Sequence, residues 1–165
     1  MRMSLSRIIF VAAACCLLPC GCTSVKLMTY NVGVFSKYTD DSASEVAAMI
    51  REKGAQAVAI NEQDSCNRRH NVYQTKHLAE CLGDEWHYAY RGAMPYVGGS
   101  YGEGLVTKDE VIDEYAINMP IGVGAEPRVC VVVETKRYVF ASTHLDHVSD
   151  AARTDQARQI SETLK

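Results

Sequence analysis

The stretch Val139-Phe-Ala-Ser-Thr-His-Leu-Asp-His147 constrains the fold more than any other. Small and apolar residues run straight into a polar cluster. The chain must therefore bury Tyr138 to Ser142 and deliver His144, Asp146 and His147 to a surface. A short buried strand does both, bounded upstream by the charged turn Glu134-Thr-Lys-Arg137. In open α/β sheets, ligands bind at the carboxyl ends of strands. His144 and Asp146 alternate, so on an extended backbone both point to one face. A carboxylate beside a His fixes its tautomer or raises its basicity. Two exposed, idle histidines at a strand end are the alternative.

The same pattern recurs upstream. Val25 to Asn31 alternates as a strand, and Gln56 to Asn61 is a second one with Ala-Val-Ala-Ile at its centre. Between them, Asp41 or Ser42 caps a helix through about Lys53. Ser42-x-x-Glu45 reads as a capping box, Val46, Met49 and Ile50 form the apolar stripe, and Gly54 stops the helix. Glu62 to Asn71 reads as a polar loop, followed by a helix to Leu82 that Gly83 ends. Glu85 to Tyr90 is a strand, and Ala93 to Gly102, rich in Gly and Tyr with one Pro, a turn-bearing loop. Strands follow at Gly104–Thr107, Val111–Ile117 and Val129–Glu134. The last helix starts near Asp150, with Ser149 as its cap and Ala157, Ile160 and Leu164 on one face. Helix-separated strands first and hairpin-like strands later imply an α/β (α+β) fold, a mixed sheet with flanking helices.

Residues 1–22 stand apart from that domain. Arg2 and Arg7 precede the apolar run Ile8 to Leu18, and Pro19-Cys-Gly-Cys22 closes it, the layout of a signal peptide. Leu17-Leu-Pro-Cys-Gly-Cys22 also resembles a bacterial lipobox, with Gly21 before a lipid-accepting Cys22 and Pro19 where Leu is usual. The expectation is an exported chain in the periplasm or cell envelope, anchored to the membrane if Cys22 is lipidated. The domain proper is 25–165.

Of seven cysteines, Cys15, Cys16, Cys20 and Cys22 belong to the leader. Cys66, Cys81 and Cys130 remain, an odd number with no zinc-type spacing. Cys130, within Val129-Cys-Val-Val-Val133, reads as a core thiol. Export permits a Cys66–Cys81 bridge. Removing the leader's two Arg takes the net charge from −3 to −5, and no polybasic run occurs. Extended nucleic-acid binding through many phosphates is not supported. A small phosphate ester held through a metal ion is compatible with this charge.

Asn31, Asn61-Glu62 and His144 all stand at carboxyl ends of strands. Together they offer a hard carboxylate, amide oxygens and an imidazole. Mg²⁺-assisted attack on a phosphate ester needs these groups, because one or two carboxylates hold the ion and waters complete it.

Five segments carry a resemblance: Thr29-Tyr-Asn31, Ala57-Val-Ala-Ile-Asn-Glu-Gln-Asp64, Tyr101-Gly-Glu-Gly-Leu-Val-Thr107, Glu126-Pro-Arg128 and Ser142-Thr-His-Leu-Asp-His147. In this order they resemble the endonuclease/exonuclease/phosphatase superfamily, and within it the bacterial metal-dependent hydrolases. The resemblance runs from Val25 to Lys165. It implies a DNase I-like mixed β-sandwich flanked by helices. It also implies divalent-metal-dependent hydrolysis of a phosphate ester, with Mg²⁺ or Mn²⁺ as cofactor. By the same resemblance Glu62 is the metal ligand, Asn31 lies near metal and phosphate, His144 touches the scissile phosphate and Arg128 lies close to it. Asp146 is either an orienting group or a binder of loop backbone. Asn61 stands where relatives have Gln, and Glu103 where many have Asn. Their Gly-Asp-Phe-Asn-type and Ser-Asp-His-type motifs do not occur in these 165 residues. The expectation is a domain truncated after its first half, with the inner face of the first sheet left without a partner. On that expectation the rival reading is a catalytically inactive remnant, or an envelope binding protein, that retains half of the fold.

Overall fold

The computed structural model describes residues 24–37, 39–124 and 126–165. The leader and its Cys22 lie outside them. No helix among the described residues is long and apolar enough to cross a membrane.

Among the described residues, seven strands form two sheets. The first has the order β1 (Leu27–Asn31), β2 (Ala57–Ser65), β4 (Gly99–Thr107), β3 (His87–Tyr96); the second is the meander β5 (Asp113–Asn118), β6 (Val129–Glu134), β7 (Val139–Thr143). β1 and β2 are parallel and joined through α1 (Ala43–Lys53), as a parallel pair requires. α2 (Gln74–Leu82) leads into β3, and α3 (Asp150–Thr163) follows β7.

Alternation along each strand sorts the core. On β2, Val58 and Ile60 face the helices, where they meet Val46, Ala47 and Ile50 of α1 and Leu78 of α2. Leu105 and Ala89 face the second sheet and pack on Val131 and Val133. The other face of β6 presents Cys130 and Val132 to a third cluster that includes Ile160 of α3. β6 is thus apolar throughout because both of its faces are covered.

The second sheet corrects the expectation of an uncovered inner face. It covers the first sheet over β3 and β4, and Ser142 Oγ donates across the interface to the Ile60 carbonyl at 3.4 Å. Coverage stops at the β1 side, where Leu27 is 56% exposed and Val139 of the edge strand β7 is 53% exposed.

Three local expectations also change. Ala93 to Gly102 is no loop: β3 and β4 continue through it as a hairpin, turned at Val97 and Gly98, both with positive φ. The capping box does not form. Ser42 Oγ donates to the Phe35 carbonyl, and Asp41 Oδ1 takes the Ala43 N–H instead. Cys66 and Cys81 are both free thiols. Cys130 is the expected core thiol, pushed up to about 11 by burial.

Candidate active site

β2 does not end at Asn61-Glu62. It continues to Ser65, and the register against β4 slips between Ile60 and Gln63. Ile60 pairs with Gly104 and Gln63 with Gly102, so Asn61 and Glu62 together stand opposite the single residue Glu103. This is a β-bulge, and it re-aims side chains. Glu62 takes φ = 62°, a left-handed conformation that costs a non-glycine residue roughly 1–2 kcal/mol. The strain falls on the residue that the sequence singles out as a metal ligand. Gly104 beside the bulge is also required, because a Cβ there would collide with Gln63 and Thr75.

Glu62 gathers the neighbouring strand ends. Asn31 Nδ2 donates to Glu62 Oε1 at 2.7 Å, and His144 Nε2 lies 3.7 Å from the same oxygen. His144 Nδ1 sits 2.9 Å from the Leu145 carbonyl. That oxygen only accepts, so Nδ1 carries the proton and Nε2 faces Glu62. Glu62 and His144 remain partly open to water.

Behind the bulge lies a second carboxylate. Glu103 is 2% exposed and accepts from Asn61 Nδ2 at 2.6 Å. Burial pushes its carboxyl up to about 7, the Asn61 bond and the Arg128 charge counter this, and Glu62 and Glu126 add to it. Arg128 is itself buried. Its Nη2 is 3.0 Å from Glu126 Oε2 and 3.0 Å from His147 Nδ1, while its Nε has no partner. Tyr101 stands among these groups, its phenol raised by burial and by Glu62, Glu103 and Glu126. A cavity of about 470 Å³ opens here, with Glu62, Glu126, Tyr101 and Arg69 in its walls.

Solved structures share this architecture. An endonuclease/exonuclease/phosphatase from Beutenbergia cavernae DSM 12333 matches with a TM-score of 0.63 and 18% identity, over 86% of this chain and 44% of its own. An endonuclease/exonuclease/phosphatase family protein from Leptotrichia buccalis C-1013-b matches with 0.59 and 16%, over 86% and 61%. A humanized D. rerio TDP2 carrying 14 mutations matches with 0.57 and 11%, over 85% and 56%. The chain has the endonuclease/exonuclease/phosphatase fold. It spans about half the length of these structures. No family model and no curated protein matches the sequence.

Within this endonuclease/exonuclease/phosphatase fold, Asn31, Glu62 and His144 come together as the sequence suggests, and Arg128 lies near them. Two roles become specific in the structure. Asn31 turns its nitrogen to Glu62, because its Oδ1 accepts the Gly33 N–H at 3.0 Å to start the next turn. It therefore orients Glu62, and one lone pair of its Oδ1 is already used by Gly33. Asp146 does not reach His144 in an extended strand, because β7 ends at Thr143. It is 1% exposed, and its Oδ1 accepts the N–H groups of Val148 and Ser149 at 2.8 and 2.7 Å. Those backbone bonds hold its carboxyl below the usual range, and its role is to shape the loop into α3.

Among the described residues, no group of three or more His, Cys, Asp or Glu side chains is arranged to hold a metal ion. Glu62 offers a part-exposed carboxylate; Glu126, about as exposed, is paired with Arg128. That donor set fits an ion that keeps most of its waters, as Mg²⁺ does. Glu126 and His147, named in the sequence without a role, flank Arg128.

Proposed function

We propose that the chain carries the metal-assisted site of a phosphoester hydrolase. The observation that supports this best is the bulge, which holds Glu62 in a strained conformation opposite His144 Nε2. Glu62 would hold Mg²⁺ or Mn²⁺, and a bound ion would neutralise charge on the non-bridging phosphate oxygens. The other groups are this chain's own. Asn31 fixes the Glu62 carboxylate by its 2.7 Å hydrogen bond. His144, whose Nδ1–H is held by the Leu145 carbonyl, presents Nε2 beside Glu62, where it would accept a hydrogen bond from a water or a protonated phosphate oxygen. Arg128 adds a buried positive charge that Glu126 and His147 hold in place. Loops set the substrate in such folds, and a phosphate ester is the class that this site fits. The leader supports a cell-envelope location for this activity, with anchoring at Cys22 if that residue is lipidated.

Turnover of bis-p-nitrophenyl phosphate in Mn²⁺ tests the reading. Slow hydrolysis that falls about 10²-fold in Glu62→Gln is expected. Turnover unchanged by that substitution, or none in the unaltered chain, would overturn it in favour of a binding role.

A further inference from the structure

The wall of the 470 Å³ cavity that Glu62 lines contains a cationic device that the proposed chemistry leaves unused. Asp64 is fully buried, and it receives Arg69 Nε and Nη2, each at 2.8 Å. His70 Nδ1 reaches the same carboxylate at 2.6 Å. Asn67 Oδ1 accepts the N–H groups of Arg69 and His70 and so locks the loop that carries them. The guanidinium lies over the Tyr96 ring at 4.6 Å and 6.0 Å from the centre of Tyr101. Nη1 donates weakly to the Tyr96 hydroxyl at 3.5 Å.

Arginine has five N–H donors. Asp64 takes two and Tyr96 one, which leaves one hydrogen on each terminal nitrogen, the number a second bidentate oxyanion needs. The Arg69 side chain is 39% exposed and faces the cavity that also holds Glu62. We propose that Arg69 reads a second anionic group of the substrate, so that the site takes phosphate esters bearing a further phosphate.

This rests on the reading of Glu62 as the metal-bearing carboxylate of a phosphate-ester site. The cavity's composition narrows the ligand class. No Asn or Gln lines it, so it has no side-chain amide to read the edge of a base. One face of Tyr96 is taken by Arg69, which limits stacking. Of its two acids, Glu126 is paired with Arg128 at 3.0 Å, and a divalent ion would offset Glu62. Ser36, Tyr96 and Tyr101 add hydroxyls to the wall, and Arg69 supplies its guanidinium.

Calorimetric titration in Mg²⁺ compares ligands that differ by one phosphate. One pair is thymidine 3′,5′-bisphosphate and thymidine 5′-monophosphate; the other is fructose 1,6-bisphosphate and fructose 6-phosphate. In at least one pair the bisphosphate should bind about tenfold more tightly, and the pair that responds identifies a nucleotide or a sugar as the source. Arg69→Lys keeps a cation for Asp64 but loses the planar fork. It should erase the advantage and leave monophosphate binding unchanged. Equal affinities within both pairs would overturn the Arg69 proposal alone, and this comparison stands even if the variant fails to fold. Failure of every phosphorylated ligand to bind would overturn the phosphate-ester reading as well.

Discussion

Asp64 and Glu103 are both cut off from water on the same pair of strands, yet their carboxyl groups are shifted in opposite directions. Burial alone would raise both. For Asp64 the bonds from Arg69, His70 and Asn67 outweigh burial and hold the group below its ordinary 3.8. For Glu103 the Asn61 bond and the Arg128 charge do not suffice, and the group rises to about 7. The difference is one of satisfaction. Asp64 has nearly all its acceptor capacity filled and serves as a foundation for the cavity wall. Glu103 shares its surroundings with Glu62 and Glu126, so charge accumulates where a cation would be bound. A buried carboxylate that the fold completes is structural; one left incomplete beside other acids marks a site.

The largest effect should come from breaking the completed side. Asp64→Ala leaves Arg69 and His70 without their anchor and should cost about 3–5 kcal/mol, measured by urea denaturation. The pH dependence has opposite signs for the two groups. The native pKa of Asp64 is depressed, so its contribution is present above the ordinary 3.8 and is lost as pH falls through the lower native value. The native pKa of Glu103 is raised, so its penalty is absent below 4.5, grows as pH rises and is complete above about 7. Glu103→Gln should flatten that fall and stabilise the chain by roughly 3 kcal/mol above pH 7, with little effect at pH 4.5. Thermal denaturation across this window reads the slope, and an unchanged slope would remove Glu103 as its cause. The smallest effect sharpens the comparison at the bulge itself. Glu62→Gly relieves the positive φ and should gain up to about 1 kcal/mol in urea denaturation, while removing the carboxylate proposed to hold the ion.

Much of the scaffold was legible before the structure. The Val46, Met49 and Ile50 stripe marks α1 and Gly54 its end, while unbroken Val129 to Val133 marks a strand covered on both faces. Asn31, Glu62 and His144 were legible because each follows an apolar run. Other features depended on contacts remote in sequence. The bulge is a register shift against β4, so nothing near Glu62 in the chain announces it. The β3–β4 hairpin is disguised by Gly92, Gly98, Gly99 and Gly102, which resemble loop composition but serve close strand pairing. Asp64 and Glu126 lie only five and two residues from the Arg69 and Arg128 that pair with them, yet each pairing depends on how its loop folds. Asp146 shows the converse: its spacing from His144 suggests a pair on a strand, but the strand ends first.

The central claim is that Glu62, and no other carboxylate of comparable charge, carries the divalent ion. Titration of free Mn²⁺ by electron paramagnetic resonance measures this without any turnover. Glu62→Gln should weaken Mn²⁺ binding about tenfold or more, as loss of the one protein carboxylate on a mostly hydrated ion requires. Glu52→Gln, which removes the same charge from an exposed position on α1, should leave it unchanged. Binding that survives in Glu62→Gln, or that falls equally in both variants, would contradict the account.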